Sequence, residues 1–292
     1  MSIDLEHGAA IARELGLDEH ALKVVAVSGG EIARAHVLKG ADYWVFVKSL
    51  PLGQGGLLSA EADGLEAIRR TNTLRVPRVI RRGIQDDSAW LALEYLELAE
   101  RTPAADAELG RLLAEMHRSE GEHFGWHRNN YIGLTPQRNP RAESWTEFFL
   151  FHRLGFQFDR LISTHPDDRW VELKQGVFGQ WHDHHAGHRP PPALVHGDLW
   201  RGNTAAVGLN LPVVFDPAVH FADRETDLAM TRLFGGFSED FYRAYEDTWP
   251  LPSGHQMRQP FYTLYHVLNH ANMFGGAYLD SVSRICRRIM DQ

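Results

Sequence analysis

Cysteine is nearly absent: the 292-residue chain carries one, Cys286. One thiol can neither close a disulfide within the chain nor build a cysteine zinc site, so the fold must rest on packing and hydrogen bonds. No apolar run approaches the ~20 residues of a membrane-spanning helix. Residues 1–12 mix charges with single apolar side chains and lack a signal-peptide core, so the expectation is a cytoplasmic protein with no membrane partner. Positive charge is scarce too. Thirty Lys and Arg against 38 Asp and Glu leave a net charge of −8, which argues against nucleic acid as a partner. There is no Gly-x-Ser-x-Gly nucleophile elbow, no full Walker A loop, no internal repeat and no low-complexity linker.

What is present is an ordinary globular composition, 43% hydrophobic and 23% charged, in a chain long enough for two lobes. Residues 4–17 have helical periodicity. Strands are expected at 24–27, 35–38 and 43–47, the first two separated by Ser28-Gly29-Gly30. Residues 50–56 hold one Pro and three Gly and read as a loop. A helix follows over 59–70, then strands at 76–81 and 90–93. Beyond residue 98 the pattern turns helical, over 104–117, 145–162 and 171–182, and again from 227 to the end. The reading is an α+β fold of two parts: a small mixed-sheet lobe over 1–98 and a larger, mainly helical lobe over 99–292.

The chemistry concentrates in one stretch. His196-x-Asp198-x-x-x-x-Asn203 has the spacing of a phosphoryl-transfer catalytic loop. Such a reaction needs a carboxylate to take the proton of the attacking hydroxyl, and oxygen ligands for the magnesium that bridges the nucleotide phosphates. Asp198 is the candidate base, Asn203 a metal ligand, and His196 a brace. An apolar strand over 211–215 then ends in Asp216-Pro217, a carboxylate placed for a hard cation. An isolated Asp-x-x-x-x-Asn is an ordinary solvated turn. The His, the spacing, the apolar strand and the second Asp, in order, predict an ATP-dependent small-molecule kinase.

The N-terminal part supplies the rest. Lys48, late in the third strand, can reach the nucleotide phosphates, and Glu61 in the following helix can hold it, with Glu66 a competitor. Gly29 and Gly30 would let backbone amides approach phosphate. Glu94, Tyr95 and Leu96, where sheet gives way to helix, would form an adenine-reading hinge through their backbone. Among competing signals, His182-Asp183-His184-His185 reads as a solvated helix end. His266 and His270 have zinc-ligand spacing but lack the accompanying Glu, and read as polar lining or core. The aromatic run over 145–158 reads as core.

These residues resemble the fructosamine kinase (ketosamine-3-kinase) family, which shares the protein-kinase-like fold with aminoglycoside and choline kinases. The similarity includes Ser28-Gly29-Gly30, 46–48, 61–65, Val76-Pro77, 130–137 (NYIGLTPQ), 194–203 (LVHGDLWRGN), 216–237 (DPAVHFADRETDLAMTRLFGGF) and 265–275 (YHVLNHANMFG). The Trp of HGDLW and the string after Asp216 are the specific parts. The resemblance implies transfer of the ATP γ-phosphoryl group to the third-carbon hydroxyl of a ketosamine, a sugar adduct of a lysine amine, free or protein-bound, leading to deglycation. It implies ATP and Mg2+ as cofactors, with Asp198 as proton acceptor, Asn203 and Asp216 on the metal, Lys48 on phosphate and 94–96 as hinge. Trp200 is a candidate for the sugar wall, and a monomer is expected. Some family members carry a cysteine in the glycine-rich loop; here the residues are Gly30-Glu31-Ile32, so redox control is not carried over. Cys286 reads as a buried small apolar residue. The alternatives are a kinase for an aminoglycoside or amino alcohol, a nucleotide-binding pseudokinase, and a metalloenzyme using His266 and His270.

Overall fold

The computed structural model describes residues 5–27 and 33–292. Ser28, Gly29 and Gly30 lie outside the described residues. Helix α1 (Leu5–Glu14) precedes strands β1 (Lys23–Val27), β2 (Arg34–Lys39) and β3 (Trp44–Pro51). Helix α2 (Gly55–Arg70) and strands β4 (Val79–Gln85) and β5 (Ser88–Glu94) follow. The five strands form one antiparallel sheet in the order β1-β2-β3-β5-β4.

Alternation along β3 decides which side chain goes where. Val45 and Val47 join Ile11, Leu38 and Trp90 in a cluster beneath α1. Phe46, Lys48 and Leu50 fall on the opposite face. There Leu50 packs with Leu58, Leu65 and Ile68 of α2, each side chain contributing roughly 1.5–3 kcal/mol if fully buried. Lys48 therefore has to face α2. The expected loop over 50–56 is a correction. β3 runs on to Pro51, which pairs with Ser88, one short turn follows, and α2 already begins at Gly55. A Cβ on Gly55 would lie 2.8 Å from that of Ala89, so glycine here serves close helix–strand approach.

A two-residue strand β6 (Leu98–Ala99) leads into α3 (Pro103–His117), capped by the Thr102 hydroxyl on the Ala105 amide. A small hairpin of β7 (Asn130–Ile132) and β8 (Thr135–Gln137) precedes α4 (Trp145–Phe149), α5 (Phe156–Thr164) and α6 (Asp168–His184). The single helix expected over 145–162 is interrupted by a π-helical segment at Leu150–Gly155. The extra residue keeps Leu150 and Leu154 in the core and turns Phe151 to solvent.

Strand β9 (Ala193–Val195), the hairpin of β10 (Thr204–Val207) and β11 (Leu211–Val214), and β12 (His220–Ala222) carry the motif segments. Helices α7 (Glu225–Thr231), α8 (Glu239–Thr248), α9 (His255–Phe274) and α10 (Ala277–Met290) complete the chain. The aromatic run is core as expected: Trp145, Phe148, Phe149 and Phe158 pack with Trp170, Trp181, Phe261 and Tyr262. Cys286 is fully buried and free. No described helix is long and apolar enough to cross a membrane.

Candidate active site

Two short antiparallel ladders bring the motif loops together. β9 pairs with β12 and β10 with β11, so the 196–203 loop and the 215–219 segment, which connect them, must face each other. Backbone bonds stitch them: Phe215 donates to the Asn203 carbonyl at 3.1 Å, and Ala218 to the His196 carbonyl at 2.8 Å. Gly197 has φ 84, and a Cβ there would lie 2.2 Å from the Ala218 oxygen, so only glycine fits this approach.

His196 is fully buried. Its Nδ1 accepts from the Asp198 amide (3.3 Å) while its Nε2–H donates to the Phe215 carbonyl (3.1 Å). Burial holds this imidazole's pKa below the ordinary value, in keeping with a neutral brace. The Asn203 amide nitrogen donates to the Asp198 carbonyl at 2.9 Å and sits 3.4 Å from its carboxylate, which leaves the Asn203 side-chain oxygen to be offered elsewhere.

Across the cleft Lys48 donates to Glu61 at 2.7 Å and to the Asp216 carboxylate. Glu66 pairs instead with Arg69 on the surface. Burial works against the Lys48 charge, but Asp216 and Glu61 outweigh it and hold the ammonium above its ordinary pKa. Burial pushes Glu61 up to about 7 against the pull of Lys48. Asp216 goes the other way: burial opposes its charge, and Lys48 more than compensates. Asp216 also has φ 56, a left-handed backbone that costs a non-glycine residue on the order of 1–3 kcal/mol.

One residue that local sequence does not mark underlies the loop. Asp227 is fully buried at the first turns of α7 and accepts from the His196 amide (2.7 Å), the Gly197 amide (2.8 Å) and His117 Nε2 (3.0 Å). Burial would raise its pKa, but the His117 bond and the neighbouring histidines keep it below the carboxylate range. An acid near a helix start is commonplace; its only signal was its place in the 216–237 string.

The other expected residues are placed as follows. Glu94 ends β5, and its side chain is engaged by Arg75 (2.6 Å) and the Arg78 amide (3.1 Å), more than the backbone-only role expected of it. Burial opposes the charge of Glu94, but these bonds lower its pKa. Tyr95 packs against Trp44, and Leu96 is half-buried beyond it. Trp200 has its ring against Phe234, centroids 5.9 Å apart, and Phe234 continues to His270 and Tyr278. Glycine at 202 makes room for the indole, which a Cβ would meet at 2.2 Å. His266 is buried, as read. The His182–His185 tract is only partly a solvated end: His182 and Asp183 are exposed, whereas His185 is buried and stacked on Trp181 at 3.5 Å. Among the described residues a metal-capable group of His188, Asp223 and Glu225 occurs, but its oxygens are taken by His188, Tyr262 and Arg258.

The chain matches the family model described as fructosamine kinase over residues 6–292. A protein of Synechocystis sp. assigned as a ketoamine kinase is 41% identical, covering 91% of this chain and 89% of its own. A protein-ribulosamine 3-kinase of Oryza sativa subsp. japonica is 33% identical, covering 90% and 77% respectively. The solved structure of a protein assigned as a fructosamine-3-kinase, from Thermobifida fusca, superposes with a TM-score of 0.86 at 31% identity, covering 99% of this chain and 100% of that one. At the level of fold alone, an aminoglycoside phosphotransferase superposes with a TM-score of 0.66 at 15% identity over 96% and 97%.

Proposed function

The chain belongs to the fructosamine kinase family, and from that premise we propose that it transfers the γ-phosphoryl group of ATP to the third-carbon hydroxyl of ketosamines, the ribulosamine and fructosamine adducts of lysine. The observation that carries this is the membership itself, over nearly the whole chain; the Lys48–Glu61 and Lys48–Asp216 ion pairs and the Asn203–Asp198 bond support it. The aminoglycoside and choline kinases resemble this chain in fold alone, at 14–16% identity, so an aminoglycoside or amino-alcohol kinase is disfavoured. A pseudokinase is disfavoured because Lys48, Asp198, Asn203 and Asp216 are all present.

In this reading Asp198 accepts the proton of the sugar hydroxyl and orients it in line with the γ-phosphorus. Lys48, held by Glu61, neutralises phosphate charge. Glu94, Tyr95 and Leu96 meet adenine, and Gly29 and Gly30 cover the phosphates. The Asn203 side-chain oxygen and the Asp216 carboxylate are hard donors of the kind magnesium takes alongside phosphate oxygens. When bound, the ion supplies charge neutralisation on the transferring group. Trp200, with Phe234 behind it, lines the sugar. Residues 1–98 act as the nucleotide lobe and 99–292 as the catalytic and substrate lobe. The same reading includes a monomeric, cytoplasmic enzyme that acts on free or protein-bound adducts.

The test is ATP consumption by purified protein with ribulose- and fructose-derived lysine adducts, aminoglycosides and choline, with and without magnesium. Turnover of the lysine adducts that requires magnesium is expected. Rapid turnover of another acceptor class with none of ketosamines would overturn the assignment.

A further inference from the structure

The hairpin of β7 and β8 belongs to no part of the proposed machinery, yet it and the residue just before it hold the backbone after Asp216 and the helix that carries Glu61. Asn130 and Gln137, both buried, face the segment after Asp216. Asn130 Nδ2 donates to the Val219 carbonyl at 2.7 Å, and Gln137 Nε2 to the Ala218 carbonyl at 3.1 Å. The two side chains are locked to each other at 2.8 Å. Asn139 donates to the same Asn130 oxygen at 2.7 Å, and Tyr265 of α9 donates to Gln137 at 2.8 Å. Behind them the buried Arg153 guanidinium donates to Asn139 at 2.6 Å.

The other side of the hairpin reaches α2, the helix that carries Glu61. Arg128, just before β7, donates to Asp63 at 2.7 Å. Tyr131 lies against the start of α2, its hydroxyl 3.2 Å from where a Cβ on Gly56 would stand. The α2 helix in turn rests on the residue after Asp216: a Cβ on Gly64 would lie 2.9 Å from the Pro217 ring.

We propose that Asn130 and Gln137 are positioning residues for Asp216, and that Arg128 does the same for Glu61, so that one hairpin preassembles the Lys48–Glu61–Asp216 group. The physical need is clear. Asp216 sits in a left-handed backbone that persists only where surroundings over-determine it. The carbonyls two and three residues later are where Gln137 and Asn130 hold. The Lys–Glu pair and the metal-binding Asp must both be in place for phosphoryl transfer, and here a fixed structural element spans both.

The inference rests on reading Asp216 as the magnesium ligand, and the test separates the two. Gln137→Met keeps shape and loses all three side-chain hydrogen bonds, to Ala218, Asn130 and Tyr265; Arg128→Ala alters a partly exposed ion pair. Hydrogen exchange in the nucleotide-free protein reads the positioning directly. In Gln137→Met, amides of 215–221 should exchange at least ~10-fold faster while the α6 and α10 peptides keep wild-type rates. Uniform acceleration everywhere, or none, would overturn the proposal. The second readout is the factor by which magnesium tightens ADP binding, measured by calorimetry. It should fall at least ~5-fold in Gln137→Met and remain near wild type in Arg128→Ala, which should instead weaken metal-free ADP binding. Unchanged coupling in Gln137→Met alongside lost coupling in Asp216→Asn overturns the positioning role. Unchanged coupling in Asp216→Asn overturns the metal-ligand reading and the inference built on it.

Discussion

Asp198, Asp216 and Asp227 are the same residue type with three environments and three tasks. Asp216 is held ionised by Lys48, and Asp227 by His117 and two backbone amides. Asp198 is half-buried with Asn203 beside it, at the mouth of the loop that Asp227 supports. Asp198→Asn preserves shape and removes the proposed proton acceptor. It should lower kcat by ~10²–10⁴ with ADP affinity within twofold of wild type. Steady-state rates and calorimetry check this; near-wild-type turnover would remove Asp198 from the base role. The spacing from His196 to Asn203 was readable because these residues lie within one loop. Asp227 was not, because its partners His117 and His196 are 110 and 31 residues away in sequence.

At the scale of elements, helices α3 and α8 cross with glycine at the contact. A Cβ on Gly110 would stand 2.1 Å from the Phe241 carbonyl oxygen, and that atom belongs to backbone that cannot rotate away. Gly110→Ala should therefore destabilise the protein by ~1–3 kcal/mol, although alanine is the better helix former by ~1 kcal/mol. Urea unfolding measures it; a stabilised variant would mean that the helices part without cost. The periodicity over 104–117 located α3, which the structure starts one residue earlier at Pro103 behind a Thr102 cap. The 50–56 stretch misled for the opposite reason. Its glycines look like loop signals, yet Gly55 is there because the first turn of α2 presses on β5. The π segment in 150–155 was likewise invisible, since an apolar run tolerates one extra residue per turn without losing its pattern.

At the scale of the whole molecule, buried titratable groups set the response to pH. His185 and His266 are pushed down by burial to about 3, and burial also lowers His196 and His220. Burial makes all four harder to protonate in the folded chain, so unfolding takes up protons below about pH 6.5. Stability that they contribute is intact above that pH and is lost as pH falls toward their folded values. Glu61 and Glu225 act in the opposite sense. Burial raises both to about 7, so the folded state holds their protons between roughly 4.5 and 7 and gains stability as pH falls through that window. The histidines outnumber the glutamates, so the balance near pH 5.5 is proton uptake on unfolding. Stability should then fall as the pH drops from 6 to 5. Urea titrations at a series of pH values check the slope, and a flat or inverted profile would show that these histidines are not held neutral.

The sequence alone determined the class of chemistry and the family, because the proposed reacting groups sit on two short loops whose spacing survives as a linear pattern and whose flanks carry the 216–237 string. It also determined the existence of most helices and of six of the twelve described strands, since amphipathic period is local, whereas strands as short as β9 and β12 carry too little pattern to read. Only the tertiary structure decided which glutamate meets Lys48, where Glu94 points and what braces the catalytic loop. It also revealed that a hairpin of modest polar residues grips the backbone after Asp216. Those outcomes depend on side chains from distant segments satisfying one another's hydrogen bonds away from water. That requirement is strict in a buried site and leaves no periodic trace in the chain.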